Sequence, residues 1–221
     1  MRIAILGGTG DLGEALALRW GHDAAHDVVI GSRDPDAAHA AADAYGEALD
    51  ARGRSARLTG SENGMAAARA DGVVLAVPPY HVADVVGAVG DRLDDGDVLV
   101  TPAAGLTHGA DGAHHNPPAA GSVTALVADA APEDVPVIGA FHSLAAGRLA
   151  DLDADLGIDT LLVGDDGSAK RTVAGLAEDI DGLRAVDAGG LANAAEVEAL
   201  TPLLVNVGAR NGLDDPGVRF R

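Results

Sequence analysis

No cysteine occurs in the 221 residues. Disulfides, thiolate metal sites and cysteine nucleophiles are therefore excluded. Aromatic side chains make up only 2% of the chain against 48% apolar residues, so a core has to be built from Val, Leu, Ile and Ala. No apolar run approaches the ~20 residues of a membrane-spanning helix. No charged segment leading into a cleavable apolar stretch opens the chain, so no signal peptide is expected and the expected location is cytoplasmic. Lysine is nearly missing, with Lys170 alone, and 15 Lys and Arg face 34 Asp and Glu for a net charge of −19. Nucleic-acid phosphates and anionic lipid surfaces repel such a chain, so neither nucleic acid nor a membrane is expected as a partner. An acidic, lysine-poor shell is what a halophile's protein carries, because near 1 M salt the screening length falls to about 3 Å and self-repulsion is suppressed.

What is present begins at residue 2. Arg2-Ile3-Ala4-Ile5-Leu6 reads as an apolar strand, and Gly7-Gly8-Thr9-Gly10-Asp11-Leu12-Gly13 as a tight turn opening a helix with Leu12, Leu16 and Trp20 at helical spacing. Gly8, Gly10 and Gly13 have the dinucleotide-fingerprint spacing. One glycine makes the turn, one lets the backbone approach a pyrophosphate, and one lets helix and strand pack closely. The helix N-terminus adds free N–H groups and partial positive charge. Such turns also occur without a ligand; here the strand before it and the helix after it favour a nucleotide.

Along the rest of the chain, strands alternate with helices. His26–Arg33 predicts a second strand, and Asp34-Pro35 the cap and first position of a helix running to about Arg52. Thr59–Gly64 reads as a polar turn before a short helix around Met65–Ala68. Gly72–Val77 and Asp97–Thr101 are apolar runs of the kind buried on both faces of a parallel sheet, with a helix carrying Val82, Val85, Val86 and Val89 between them. Residues 103–121 show no period and read as a long mobile loop. A helix near 122–130 follows, then strands at 135–140 and 160–164, a helix over 168–180 and a strand at 182–187. The last long helix is expected to start at Asn193, with Glu196 completing a capping box, to bend at Pro202 and to end at Asn211-Gly212. The alternation predicts an α/β fold, a doubly wound, mostly parallel sheet of Rossmann type with a small C-terminal helical and strand lobe. Residues 1–150 form the nucleotide-binding domain and 151–221 a lobe completing the same globule.

The tip of the second strand meets the adenine ribose in this fold, where a carboxylate selects NAD and an arginine accommodates a 2′-phosphate. The tip here is Ser32-Arg33, while Asp34 is assigned to the helix cap, so the expected cofactor is NADP(H). Ligands lie at the carboxyl ends of the strands. Those positions are Val77 through His81, Ala103-Ala104, and His142 through Ala146, where the small residues Ala104 and Ala146 admit close approach of the backbone to nicotinamide. The adjacent His114 and His115 lack a third ligand and read as a solvated loop, so no metal is expected. Asp94-Asp95 and Asp165-Asp166 read as turn or capping carboxylates.

The chain resembles the F420:NADP oxidoreductase family, the NADPH-dependent reductases of the deazaflavin coenzyme F420, over nearly its full length. The blocks that carry the resemblance are Gly7 to Gly13, Gly31-Ser32-Arg33, Val77-Pro78 with His81, Phe141-His142-Ser143-Leu144-Ala145-Ala146, Asp181-Gly182-Leu183-Arg184 with Asp187-Ala188-Gly189, and Leu200-Thr201-Pro202-Leu203 through Asn206 and Asn211-Gly212. The resemblance implies NADP contacts at Thr9, Gly10, Asp11, Leu12, Ser32, Arg33, Val77, His81, Ala104 and Ala146. It implies F420 contacts near His142, Leu144 and Pro216, the last in the C-terminal lobe. It implies hydride exchange between nicotinamide C4 and deazaflavin C5. Together with the composition it implies a halophilic archaeal source. The family's lysine shortly after the Ser-Arg pair is matched by Ala37. No catalytic side chain is required for the hydride itself; His142 either steers the ring or relays a proton, or is simply a structural histidine. A basic strip of Arg33, Arg148 and Arg184 or Arg210 is expected to receive the anionic reactants, and a homo-oligomer, a dimer, is expected. Reduction of a small imine or carbonyl, and NADP sensing without catalysis, remain as alternatives.

Overall fold

The computed structural model describes residues 1–24 and 26–221. In chain order the elements are β1 (Arg2–Leu6), α1 (Asp11–Asp23), β2 (Asp27–Ser32), α2 (Pro35–Asp50), β3 (Arg57–Glu62), α3 (Asn63–Ala67), β4 (Gly72–Leu75), α4 (Val82–Val89), β5 (Val98–Thr101), β6 (Leu106–Gly109), β7 (Gly112–His115), α5 (Val123–Ala130), β8 (Val137–Gly139), α6 (Ala146–Ala150), β9 (Ile158–Leu162), α7 (Gly167–Glu178), β10 (Leu183–Asp187), α8 (Ala194–Glu198) and α9 (Leu200–Asn211). Six strands form one wholly parallel sheet in the order β3-β2-β1-β4-β5-β8. The order reverses between β2-β1 and β4, and a crevice opens at that switch point beyond the carboxyl ends of the strands.

Strand alternation divides the core between the two faces. Ile3 and Ile5 of β1 pack on one side with Leu16, Trp20, Val28 and Ile30. Ala4 and Leu6 pack on the other with Val29, Val73, Val86 and Val127, as a period of two requires. Two of the five aromatics meet where the lobe joins. Trp20, fully buried, donates its indole N–H to the carbonyl of Leu176 at 2.8 Å. Its ring meets Phe141 edge-on with centroids 6.0 Å apart. Beyond β8 the sheet continues through an antiparallel bridge between Gly139 and Val163 at the end of β9, and β10 pairs parallel with β9. Both pieces of the expected fold class, the parallel sheet and the appended strands and helices, are thus in place.

Four expectations are corrected. Thr59–Gly64 is not a turn: β3 pairs along β2 through residues 57–62. It is an edge strand with polar, half-exposed side chains, so it lacks the apolar run that marks the central strands. Residues 103–121 are not a structureless loop. β6 and β7 form an antiparallel hairpin, held because Asn206 of α9 accepts from the Ala113 N–H at 2.8 Å and donates to its carbonyl at 2.7 Å. Asn193 does not cap: its side chain donates instead to the Ala188 carbonyl at 2.7 Å. The final helix is broken rather than bent, into α8 and α9 at Ala199. Pro202 has no N–H to offer the Glu198 carbonyl, and the break falls there. Asp34 caps α2 and Gly212 closes α9 at φ 60°, both as expected. Among the described residues no helix is long and apolar enough to cross a membrane.

Candidate active site

The glycine turn is built by necessity. Gly7 stands at φ 82°, in the left-handed region, and a Cβ on it would lie 2.5 Å from the Ala76 carbonyl oxygen. Its N–H and that of Gly8 both reach the Gly31 carbonyl at the end of β2. A side chain the sequence did not single out completes the turn. Tyr45 of α2 donates its hydroxyl to the Gly8 carbonyl at 3.1 Å. Burial, then the nearby Glu14 and Asp11 carboxylates, push that phenol up to about 12, so it remains a donor. Gly10 precedes α1 with no side-chain cap. The first-turn N–H groups are therefore open to an anion.

Beyond this turn lies a cavity of about 530 Å³. Thr9, Gly10, Ser32, Arg33, Val77 and His81 all line it, so segments from β1, β2 and β4 converge as the sequence predicted. Gly8, Asp11, Leu12 and Gly13 form the turn and helix start behind it. Ala104, which follows β5, and Ala146, which opens α6, line neither this cavity nor the next. Glu62 and Asn63 were not anticipated, because β3 was not. Glu62 caps α3 through Oε2 to Gly64 N–H at 2.9 Å. Asn63 is buried with its Oδ1 unpartnered, a polar atom available to a ligand. A long apolar-and-polar cleft, a turn in which Gly7, Gly8 and Gly13 leave no room for a Cβ, and a guanidinium with no hydrogen-bond partner among the described residues fit a phosphorylated dinucleotide.

A second cavity, of about 260 Å³, is bordered by His142, Leu144, Thr201, Gly208, Asp215 and Pro216. The three side chains assigned to F420 by resemblance therefore meet in space. Chain closure explains why. Asp159, buried on β9, receives Arg184 through Oδ1 at 2.9 Å and the Phe220 N–H at 2.6 Å. The Arg184 guanidinium, desolvation opposing, holds the Asp159 carboxyl below the usual range. This clamp draws the tail across the end of α9, and Pro216 approaches Gly208, where a Cβ would meet the Leu213 carbonyl at 2.9 Å. Arg184 is thereby committed to the fold, and Arg148 donates to the Asp155 and Leu156 carbonyls. The expected basic strip is reduced accordingly, with Arg33 the member that lines the first cavity.

Phe141 leads into the second cavity at φ 66°, a conformation that costs a non-glycine residue about 1–3 kcal/mol. Thr160 Oγ1 accepts its N–H at 2.9 Å, and Trp20 covers its ring. The strain turns the next residue, His142, inward. Burial pushes its imidazole down to about 4, so the ring is neutral at physiological pH. Its carbonyl accepts from Thr201 Oγ1 at 2.8 Å. His114 and His115 lie in the hairpin, His114 paired with Asp111 at 2.9 Å. Asp166 caps α7, and Asp165 accepts the Leu191 N–H.

Comparison with known proteins bears on this geometry. Residues 2–105 match the family model described as "NADP oxidoreductase coenzyme F420-dependent". An F420-dependent NADP reductase of Methanocaldococcus jannaschii is 36% identical, over 100% of this chain and 98% of the relative. This chain belongs to that family. A second F420-dependent NADP reductase, from Methanothermobacter thermautotrophicus, is 36% identical over 100% of this chain and 94% of the relative. A crystal structure from Arthrobacter sp. FB24 superposes with TM-score 0.81 at 26% identity, covering 100% of this chain and 99% of that one. The family thus extends over both halves, and the model's match ends at residue 105, where the sheet's first five strands are complete.

Proposed function

We propose that this chain catalyses hydride transfer between NADP(H) and coenzyme F420. The observation that carries the reading is the pair of cavities served by segments at the carboxyl ends of the strands. One has the glycine turn and Arg33; the other has His142, Leu144 and Pro216. The two reactants supply the hydride chemistry. The protein holds the flat rings in register, with the reacting carbons about 3–3.5 Å apart. The turn and the start of α1 receive the pyrophosphate through Gly8, Thr9, Gly10, Asp11, Leu12 and Gly13. Ser32 and Arg33 receive the 2′-phosphate, and Val77 and His81 flank the nicotinamide end, with Ala104 and Ala146 set back from the cavity wall. Residues 1–150 bind the nucleotide, and 151–221 complete the deazaflavin site.

Mixing the protein with NADPH and oxidised F420 bleaches the deazaflavin's visible absorbance at the rate NADPH is consumed. NADPH binding without turnover would instead indicate a sensor. Turnover with a cyclic imine alone would indicate an imine reductase.

The acidic surface is read as adaptation to a salty cytoplasm. Raising NaCl from about 0.1 M to about 1 M shortens the screening length from ~10 Å to ~3 Å. Relief of repulsion in a chain of net charge −19 then raises Tm by about 5–10 °C, a few kcal/mol at this size. A Tm that falls steadily over that range would defeat the halophilic reading. A homodimer is proposed from Leu203 and Val205, exposed on α9, with the exposed Leu213 just past its end. Sedimentation of the same samples should give twice the chain mass.

A further inference from the structure

Glu198, the last residue of α8, is a fully buried carboxylate that the fold holds without a cation in hydrogen-bond contact. Its Oε2 accepts the Val123 N–H at 2.9 Å, and its Oε1 the Thr124 N–H at 2.8 Å. It therefore satisfies the start of α5 from across the fold. The Thr124 hydroxyl also donates to Oε1, at 2.9 Å. On its other side that hydroxyl oxygen faces His142 Nε2 at 3.5 Å. His115 Nε2 stands 3.9 Å from Oε2, beyond hydrogen-bond reach. Gly139 makes this contact possible, because a Cβ there would lie 2.6 Å from Thr124 Oγ1 and 2.9 Å from His142 Cε1.

The chemistry of donors and acceptors fixes the ring. A threonine hydroxyl has one hydrogen and two lone pairs. Its hydrogen is committed to a carboxylate, a bond about twice as strong as one to a neutral partner. Toward His142 it can then only accept. Nε2 must carry the proton of the neutral imidazole, and Nδ1 is left as a bare acceptor. Nδ1 is buried and has no partner among the described residues, although the ring borders the second cavity.

We propose that Glu198, acting through Thr124, is a positioning residue that holds His142 in the Nε2–H tautomer, so that its ring stays fixed at the border of the second cavity, where F420 would lie. The second half rests on the F420 reading of the cavity; the tautomer does not. The interaction orients the His142 ring and moves no electrons.

The test reads the tautomer in the free wild-type protein, by NMR of protein labelled with ¹⁵N-histidine, with His142 assigned through H142N. The expected pattern is Nε2 protonated and Nδ1 bare. T124V removes the hydroxyl, mixes the tautomers and raises KM for F420 by about tenfold, the scale of one hydrogen bond, with KM for NADPH unchanged. T124S restores both the pattern and the KM. A wild-type ring protonated at Nδ1 overturns the proposal, as does a folded T124V with an unaltered tautomer and KM. An Nε2–H ring in a protein that does not turn over F420 upholds the tautomer and overturns the F420 reading instead.

Discussion

Replacing Arg33 by alanine raises Kd for NADPH by about 10- to 100-fold and leaves NADH nearly unchanged. A charge-assisted hydrogen bond contributes about 1.5–3 kcal/mol, and each 1.4 kcal/mol is tenfold. The expectation rests on what surrounds the arginine. It lines the first cavity directly after the tip of β2. Two carboxylates near the strand tip, Asp34 in sequence and Glu62 across the β2–β3 register, are engaged at helix starts. Asp34 accepts from Asp36 and Ala37 N–H groups at 3.0 and 3.4 Å, and Glu62 caps α3. Asp34, the carboxylate beside the strand tip where an NAD-selecting residue would stand, does not line the cavity. Ala37 contributes no second cation, so little compensates for the loss. Fluorescence titration of both nucleotides at one fixed salt concentration decides it. Equal weakening of NADPH and NADH would mean that Arg33 does not grip the 2′-phosphate.

Replacing Gly13 by alanine costs both stability and binding. A Cβ at Gly13 would lie 2.6 Å from Gly8 Cα and 2.8 Å from the Gly7 carbonyl oxygen. Those are backbone atoms, and they cannot yield without opening the turn. Overpacking of this kind costs about 1–3 kcal/mol, and displacement of the turn weakens NADPH by more than about tenfold as its N–H groups lose alignment. Gly46 provides the control. It lies inside α2, and nothing stands within 4 Å of its would-be Cβ. Alanine there gains about 0.5–1 kcal/mol from helix propensity alone. Urea midpoints of the two variants should move in opposite directions. A Gly13→Ala protein as stable as wild type, with unchanged NADPH affinity, would show that close helix–strand packing is not what this glycine provides.

The errors of sequence reading share a cause. β3 is a short, polar edge strand whose partner β2 lies elsewhere in the chain, and the β6–β7 hairpin, though local, is held by Asn206 of the distant α9. Their pairing is with backbone, which leaves no mark on side-chain periodicity. Arg184 looked like a ligand-binding cation. Only the position of Asp159 and the tail's Phe220 carbonyl shows that its donors are taken. Asn193 and Glu196 had the spacing of a capping box, yet the Ala188 carbonyl captured the asparagine. Arg184 and Asn193 were each claimed by a partner that no local spacing marks.

The residues by themselves determined the parts that depend on neighbours in sequence. Gly7 to Gly13 cannot make another turn as readily, because the backbone angles and close approaches need glycine. Asp34-Pro35 can start a helix wherever it is placed. The apolar runs at 72–75 and 98–101 can be satisfied only between two layers. The absence of cysteine excluded disulfides and thiolate chemistry. The tertiary structure alone decided which polar groups are spent and which are free. It brought His142, Thr201 and Pro216 to one cavity through the Asp159 clamp. It placed Glu198 beneath α5, where a buried carboxylate reaches His142 through a threonine. Such placements depend on which distant group arrives to pair a buried donor or acceptor, and no local pattern encodes that distance.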